Sequence, residues 1–389
     1  MTDIALEYLE LCLRLGRHID GLVDAYYGPP EISERIDAEE LREPSTLAGD
    51  ASALLESLDD AGFGESRRRW LRAQVVGLET VALRLSGDEI AYEDEVERCY
   101  GVRPEWTPED AFAEAHRELE EVLPGQGSLA DRYQAWREDD GLEGEELAAV
   151  FQGLVDDFRS RTEAMLGLPD GESVEVDYVS DEPWAAFNYY LGGLRSRIAV
   201  NTDVAATPTF VVELVAHEAY PGHHTEHAWK EQARVREGGE LEESAQMIGT
   251  PAALVSEGIA GLAAEILLGD QEQEVTAKHF ATTSVAYDPD LSSAVQQAML
   301  HLGRVQGNAA LMLHTRAASS EEALEYMMRW GLRSRRRAEQ AVRFVTDPIW
   351  RSYVSTYTDG YELCRDFVDF DPARFKRLLT EQLTPADLR

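Results

Sequence analysis

His217-Glu218-Ala219-Tyr220-Pro221-Gly222-His223-His224-Thr225-Glu226-His227 is the stretch on which the reading of this chain turns. It opens like the HExxH arrangement, in which two histidines one helical turn apart bind zinc and the glutamate between them acts as base. Here Pro221 stands where the second histidine belongs. In a regular helix His223 lies about 600° around from His217, on another face, and His224 returns to the first face but about 10.5 Å further along the axis. Neither suits one ion. Pro221 has no N–H, and its ring clashes with the carbonyl of His217; Gly222 tolerates unusual dihedrals. The helix is therefore expected to be distorted between the candidate ligands. A two-residue bulge at Pro221-Gly222 would bring His223 to the place of the second histidine of HExxH. The reading favours His217 and His223 as ligands, with His224 as runner-up. The pair His223/His227, at i and i+4, is a further choice, but no glutamate would then follow the first ligand.

A catalytic zinc site takes three protein ligands and keeps an open position for water. Glu257, forty residues after His217 in VSEGIAGLAAE, lies among Leu254, Val255, Ile259 and Leu262. A carboxylate in such surroundings is costly unless compensated, and a metal would compensate it. Glu265, near the same helical face, is expected to orient a ligand histidine from behind.

Outward from this centre, TFVVELVAHEA (209–219) reads as a helix with Val211, Leu214 and Val215 facing inward. SVEVDYV (173–179) and SRIAVN (196–201) read as strands. Helices are expected over 4–16, ended by YYGPP at 26–30, over 65–85, and over 143–166. Another is expected after Thr107 as N-cap with Pro108 at the first position, and one after Ser320 as cap. Beyond residue 209 the chain reads as helical throughout. The predicted class is mainly α, a bundle-like metallopeptidase fold with a small sheet beside the metal-binding helix. Its halves are 1–170, N-terminal and helical, and 171–389, carrying the metal, with no clear boundary between them.

The chain has 389 residues, 74 acidic against 36 basic, and a formal net charge of −38. Only 3 of the basic residues are lysines, Lys230, Lys278 and Lys376. Acids dispersed along the whole chain, with almost no lysine, resemble proteins of salt-accumulating microbes, where screening relieves self-repulsion. This charge argues against a nucleic-acid partner. No run is read as the ~20 apolar residues of a membrane helix. MTDIALEYLELCLRLG lacks the basic start of a secretory signal, so a mature N-terminus and a cytoplasmic location are expected. Cys12, Cys99 and Cys364 are far apart and read as reduced, buried thiols.

HEAYPGHH with the later SEGIAGLAAE resembles the HExxPGHH signature and the EGWxxYxE segment of the domain of unknown function 885 family. That family is similar to gluzincin-type zinc metallopeptidases. The resemblance covers about residues 185–379, with an echo at DAYYGPPE. It implies a strand ending in Asn201, a later histidine at His314, an arginine at Arg343, and a YxxG at Tyr357–Gly360. Ile259 stands where the family has tryptophan. The implied activity is zinc-dependent hydrolysis of a peptide or small amide, with Glu218 as general base. Tyr357 and His314 are the candidate oxyanion donors. Asn201, and Arg343 or Arg304, are candidates for substrate binding, and SRIAVN for pairing with an extended peptide. The alternative is a non-catalytic metal-binding or structural protein that retains the site. A serine hydrolase motif (GxSxG) and the paired Glu-x-x-His of di-iron bundles are not found.

Overall fold

The computed structural model describes residues 4–139, 141–181, 184–203, 205–348 and 350–389. Eight helices precede the first sizeable sheet: α1 (Ile4–Gly16), α2 (Pro30–Ala38), α3 (Pro44–Ser57), α4 (Glu65–Ser86), α5 (Tyr92–Tyr100), α6 (Glu109–Val122), α7 (Leu129–Asp139) and α8 (Gly144–Leu166). β1 (Val23–Tyr26) interrupts them after α1. β2 (Ser173–Val179), β3 (Ala186–Gly192) and β4 (Arg195–Asn201) follow, then α9 (Pro208–Glu218), α10 (His223–Lys230), β5 (Ala245–Met247) and α11 (Pro251–Leu268). The chain ends in α12 (Glu272–Phe280), α13 (Pro289–Leu302), α14 (Val305–Thr315), α15 (Ser320–Trp330), α16 (Arg335–Thr346), α17 (Tyr361–Val368) and α18 (Pro372–Thr380). The class is mainly α, as expected.

Local chemistry sets several boundaries. Ser319 and Glu322 form a reciprocal capping box at α15, so the cap lies one residue before the expected Ser320. α6 begins at Glu109 with Pro108 at the cap position and no side-chain cap, one residue after the expected start, and the Thr107 N–H donates to Asn308 Oδ1 at 2.9 Å. α1 ends at Gly16, well before YYGPP; a Cβ on Gly16 would lie 2.5 Å from Val23 Cγ2, where the chain doubles back into β1.

The sheets hold the largest departures from the sequence reading. β1 and β5 pair antiparallel, joining residues more than two hundred apart in the chain. β2, β4 and β3 form one sheet in that order, β4 parallel to β2 and antiparallel to β3. SRIAVN is therefore the central strand and has no free edge for a peptide. The edges belong to β2 and β3, and the alternation of β3 is masked by four consecutive half-buried residues, Ala186 to Tyr189.

α11 organises the interior. Its Leu254 belongs to the large cluster that α1–α7 share with α13–α16. Its Ala263 and Leu268 join α8, β4 and α9. Its Val255, Ile259 and Leu262 face α17 and α18. A helix buried on all sides must be apolar all round, and an 18-residue window within Pro251–Phe280 reaches a mean hydropathy of 1.6, enough by length and composition alone for a membrane span, a run the sequence reading did not single out. Here 67% of that apolar window is buried within the protein. The large cluster also draws residues from both halves of the chain, from Ile4 to Val354.

Candidate metal centre

The helix is interrupted where the sequence requires it. α9 ends at Glu218 and α10 starts at His223, across a cis Tyr220–Pro221 bond. The Gly222 N–H donates to the Ala216 carbonyl at 2.9 Å, and the Thr225 N–H to that of Ala219 at 3.3 Å. Both span six residues in place of the four of a regular helix, which is the pattern of a two-residue insertion. Gly222 cannot be replaced cheaply there: a Cβ would stand 2.0 Å from the His217 carbonyl oxygen.

The insertion brings His217 and His223 together. Their rings lie 4.7 Å apart at 89°. His217 Nε2 is 3.6 Å from Glu257 Oε2, and His223 Nε2 is 3.9 Å from Glu257 Oε1. One ligand atom from each of the three lies within 4.8 Å of the others. Tetrahedral ligands at zinc distances stand about 3.4 Å apart, so the set fits a single ion with small adjustments. Glu257 Oε2 is buried and has no hydrogen bond, the signature of an acceptor kept for something else. Oε1 accepts from the Tyr353 hydroxyl at 2.6 Å.

The far sides of both rings are occupied. The Ser256 hydroxyl donates to Glu226 Oε2 at 2.5 Å, and His223 Nδ1 lies 3.2 Å from the Ser256 oxygen. That chain places the proton on Nδ1 and leaves Nε2 free to ligate. His217 bonds to the backbone of Ala260. These partners hold the rings in the way that carboxylates and carbonyls behind metal ligands do. Glu226, Ser256 and Tyr353 were not singled out from the sequence. Ser256 directly precedes Glu257, but nothing in the spacing relates Glu226 to it.

Burial pushes the His217 imidazole down to about 3, with a further push from His223. Its contact with Glu257 is therefore not an ion pair. Burial also opposes charge on His223, but Glu226, Glu257 and Glu218 outweigh it and push the ring up to about 10. Glu218 is raised to about 7 by burial and by the Glu257 and Asp24 charges, against the pull of His223.

The structure puts some sequence candidates here and others elsewhere. Tyr357 lines the site. Its ring packs edge-on to Tyr353 at 5.5 Å, and its side chain is 48% exposed. Its phenol is nevertheless raised well above the ordinary range, first by burial and then by the Glu257, Glu218 and Asp24 charges. α11 and the π-helical turn Thr356–Gly360 cross closely enough to hold it there. A Cβ on Gly258 would lie 2.3 Å from the Gly360 carbonyl, and one on Gly360 2.4 Å from that of Leu254.

His314 is not brought in; its Nε2 lies 2.7 Å from the Val345 carbonyl and its ring stacks on Tyr92. His224 turns the other way, fully buried, with Nδ1 2.8 Å from Ser196 Oγ and Nε2 2.8 Å from Glu172 Oε2. It anchors the insertion to β4 and does not ligate. Glu265 orients no histidine: it accepts from the Tyr361 hydroxyl at 2.7 Å and pairs with Arg365 at 2.9 Å. Asn201 is buried at the end of β4, its amide donating to the Trp184 carbonyl at 3.2 Å, its oxygen accepting from the Asp203 N–H. Arg343 is on the exposed face of α16, and Arg304 is paired with Asp359 (3.2 Å) and Glu362. In place of Asn201, the sheet touches the site through Asn188 of β3, whose Nδ2 donates to the Glu218 carbonyl at 2.6 Å.

Comparison with family models and with curated proteins finds no match for this chain. Among solved structures it is similar to a candidate lipoprotein from Colwellia psychrerythraea, at 16% identity and a TM-score of 0.54. That likeness covers 89% of this chain, which spans 66% of the other. It is also similar to a candidate lipoprotein of unknown function from Shewanella oneidensis, at 10% identity and a TM-score of 0.52, over 92% of this chain and 75% of that one. At these identities the likeness is one of fold.

Proposed function

We propose that this chain is a zinc-dependent hydrolase of amide bonds, of metallopeptidase type, with a peptide or small amide as substrate. The observation that carries the reading is the convergence of His217, His223 and Glu257 within 4.8 Å, with one buried Glu257 oxygen left without a hydrogen bond. Two imidazoles and one carboxylate are the donor set of catalytic zinc, and the resemblance to the domain of unknown function 885 family points the same way. Zinc held there supplies Lewis acidity and lowers the pKa of a bound water to about 7.

The rest of the chemistry belongs to the chain. Glu218 directly follows a ligand, is 8% exposed, and has a carboxyl near neutrality, suited to taking a proton from the attacking water and returning it to the leaving amine. Tyr357 remains as the oxyanion donor, since His314 is engaged elsewhere. Tyr353 steadies Glu257, and Ser256 with Glu226 steadies His223. Glu218→Gln tests the reading: zinc content stays near wild type, while hydrolysis across a mixed peptide panel falls by about 10²–10⁴. Full activity in that variant, or no activity of the zinc-loaded wild type on any peptide, removes the proposal.

A further inference from the structure

Away from the metal ligands, α4, α5 and the chain before β1, after β5 and after α16 enclose a cavity of about 70 Å³. Its walls are mainly aliphatic, from Ile19, Leu22, Val81, Leu85 and Ile248. It reaches the surface at Pro348, which is exposed. Two charged residues also line it, Arg84 of α4 and Glu95 of α5. The buried Glu95 carboxylate is shared by two guanidinium groups. Arg351 Nε donates to its Oε2 at 3.0 Å, and Arg84 Nη1 lies 3.3 Å from the same oxygen. Arg84 Nε is shut off from solvent and has no hydrogen-bond partner.

Two cations thus stand against one anion, and Glu95 is the one acid among the described residues lining the cavity. In a chain of net charge −38 this local excess of positive charge is out of pattern. A guanidinium N–H held in apolar surroundings without an acceptor is costly. Aliphatic walls offer a water too few partners to supply that acceptor. A carboxylate suits the guanidinium fork, and an apolar body suits the walls. A cavity of about 150 Å³ accommodates benzene, so this smaller one fits a tail of about three carbons. We propose that the cavity is a binding site for a short-chain aliphatic monocarboxylate, with its carboxylate on Arg84 and its tail among Leu22, Val81 and Ile248. The site is separate from the metal centre but adjoins its support: Ser352 lines the cavity, and the next residue, Tyr353, holds Glu257. The proposal does not rest on the hydrolase reading.

The test is a calorimetric titration of the full-length protein in high salt with sodium butyrate and isovalerate. Acetate, inorganic phosphate, butylamine and 1-butanol are titrated beside them, each on zinc-loaded and zinc-free protein. Wild type is expected to bind one butyrate or isovalerate per chain, equally well with and without zinc. Acetate is expected to bind more weakly, by about fourfold per methylene lost, and the amine, the alcohol and phosphate not to bind. Arg84→Met keeps the stem and removes the charge; it is expected to lose about 10- to 100-fold for butyrate, and Arg84→Lys to recover part of this. Val81→Phe fills the aliphatic end and is expected to abolish binding. The Tm of each variant separates loss of the site from loss of the fold, and the wild-type series decides the matter if a variant does not fold. No binding of butyrate or isovalerate to wild type overturns the proposal. So does butylamine, butanol, acetate or phosphate binding as tightly as butyrate, or full affinity in a folded Arg84→Met. Carboxylate binding that requires zinc belongs to the metal centre and overturns it as well.

Discussion

Glu257 has two oxygens with different surroundings, one fixed by Tyr353 and one bare. Tyr353→Phe frees the first and is expected to weaken zinc binding by about 10- to 100-fold, measured by competition with a chelating dye; unchanged affinity would mean that Tyr353 does not position the ligand. Tyr357→Phe is expected to leave zinc in place and lower kcat by about 10²–10³ with little change in KM. A variant as fast as wild type would return Tyr357 to the role of a packing aromatic. The three candidate ligands were legible in the sequence because Pro221-Gly222 announces the insertion and a glutamate in an apolar helix calls for compensation. The supporting residues were not. Tyr353 reaches Glu257 from outside the motif, and Glu226, in α10 with His223, acts through Ser256 thirty residues away; no local pattern marks a residue whose importance comes from a distant neighbour.

The decisive element is α11, held at its crossing with the turn before α17 by Gly258 and Gly360. Gly258→Ala places a methyl 2.3 Å from the Gly360 carbonyl. It is expected to destabilise the protein by about 1–3 kcal/mol, read as a fall in Tm; a neutral variant would mean the crossing is slack. α9 carries a second testable feature. Glu213, one turn before His217, has its carboxyl raised from 4.5 to about 7 by burial, with Gln296 pulling it down and Glu272 pushing it up. The folded chain thus keeps a proton that the unfolded chain has lost. The associated stability is full below about 4.5 and is lost as pH rises through about 7. Glu213→Gln is therefore expected to raise Tm at pH 8 more than at pH 5, and an equal gain at both would contradict this. Long helices were read well because their apolar period and caps are local. The strands were read only where alternation was clean. β3 is half-buried over four consecutive positions, while β1 and β5 have four and three residues and exist through each other.

For the molecule as a whole, charge is the governing quantity. A formal net of −38 over 389 residues, with so few lysines, makes self-repulsion a large term that salt screens. Tm is expected to rise steeply between low salt and molar salt, and a flat curve would contradict the salt-adapted reading that composition suggested. The same charge dictates the conditions for the most direct test of the central claim, that His217, His223 and Glu257 form a zinc site. The purified full-length protein, kept in high salt and offered zinc, is analysed for bound metal beside Glu257→Ala. About one zinc per chain in the wild type, lost in the variant, is the expected result. No retained zinc in either, or the same amount in both, would contradict the account.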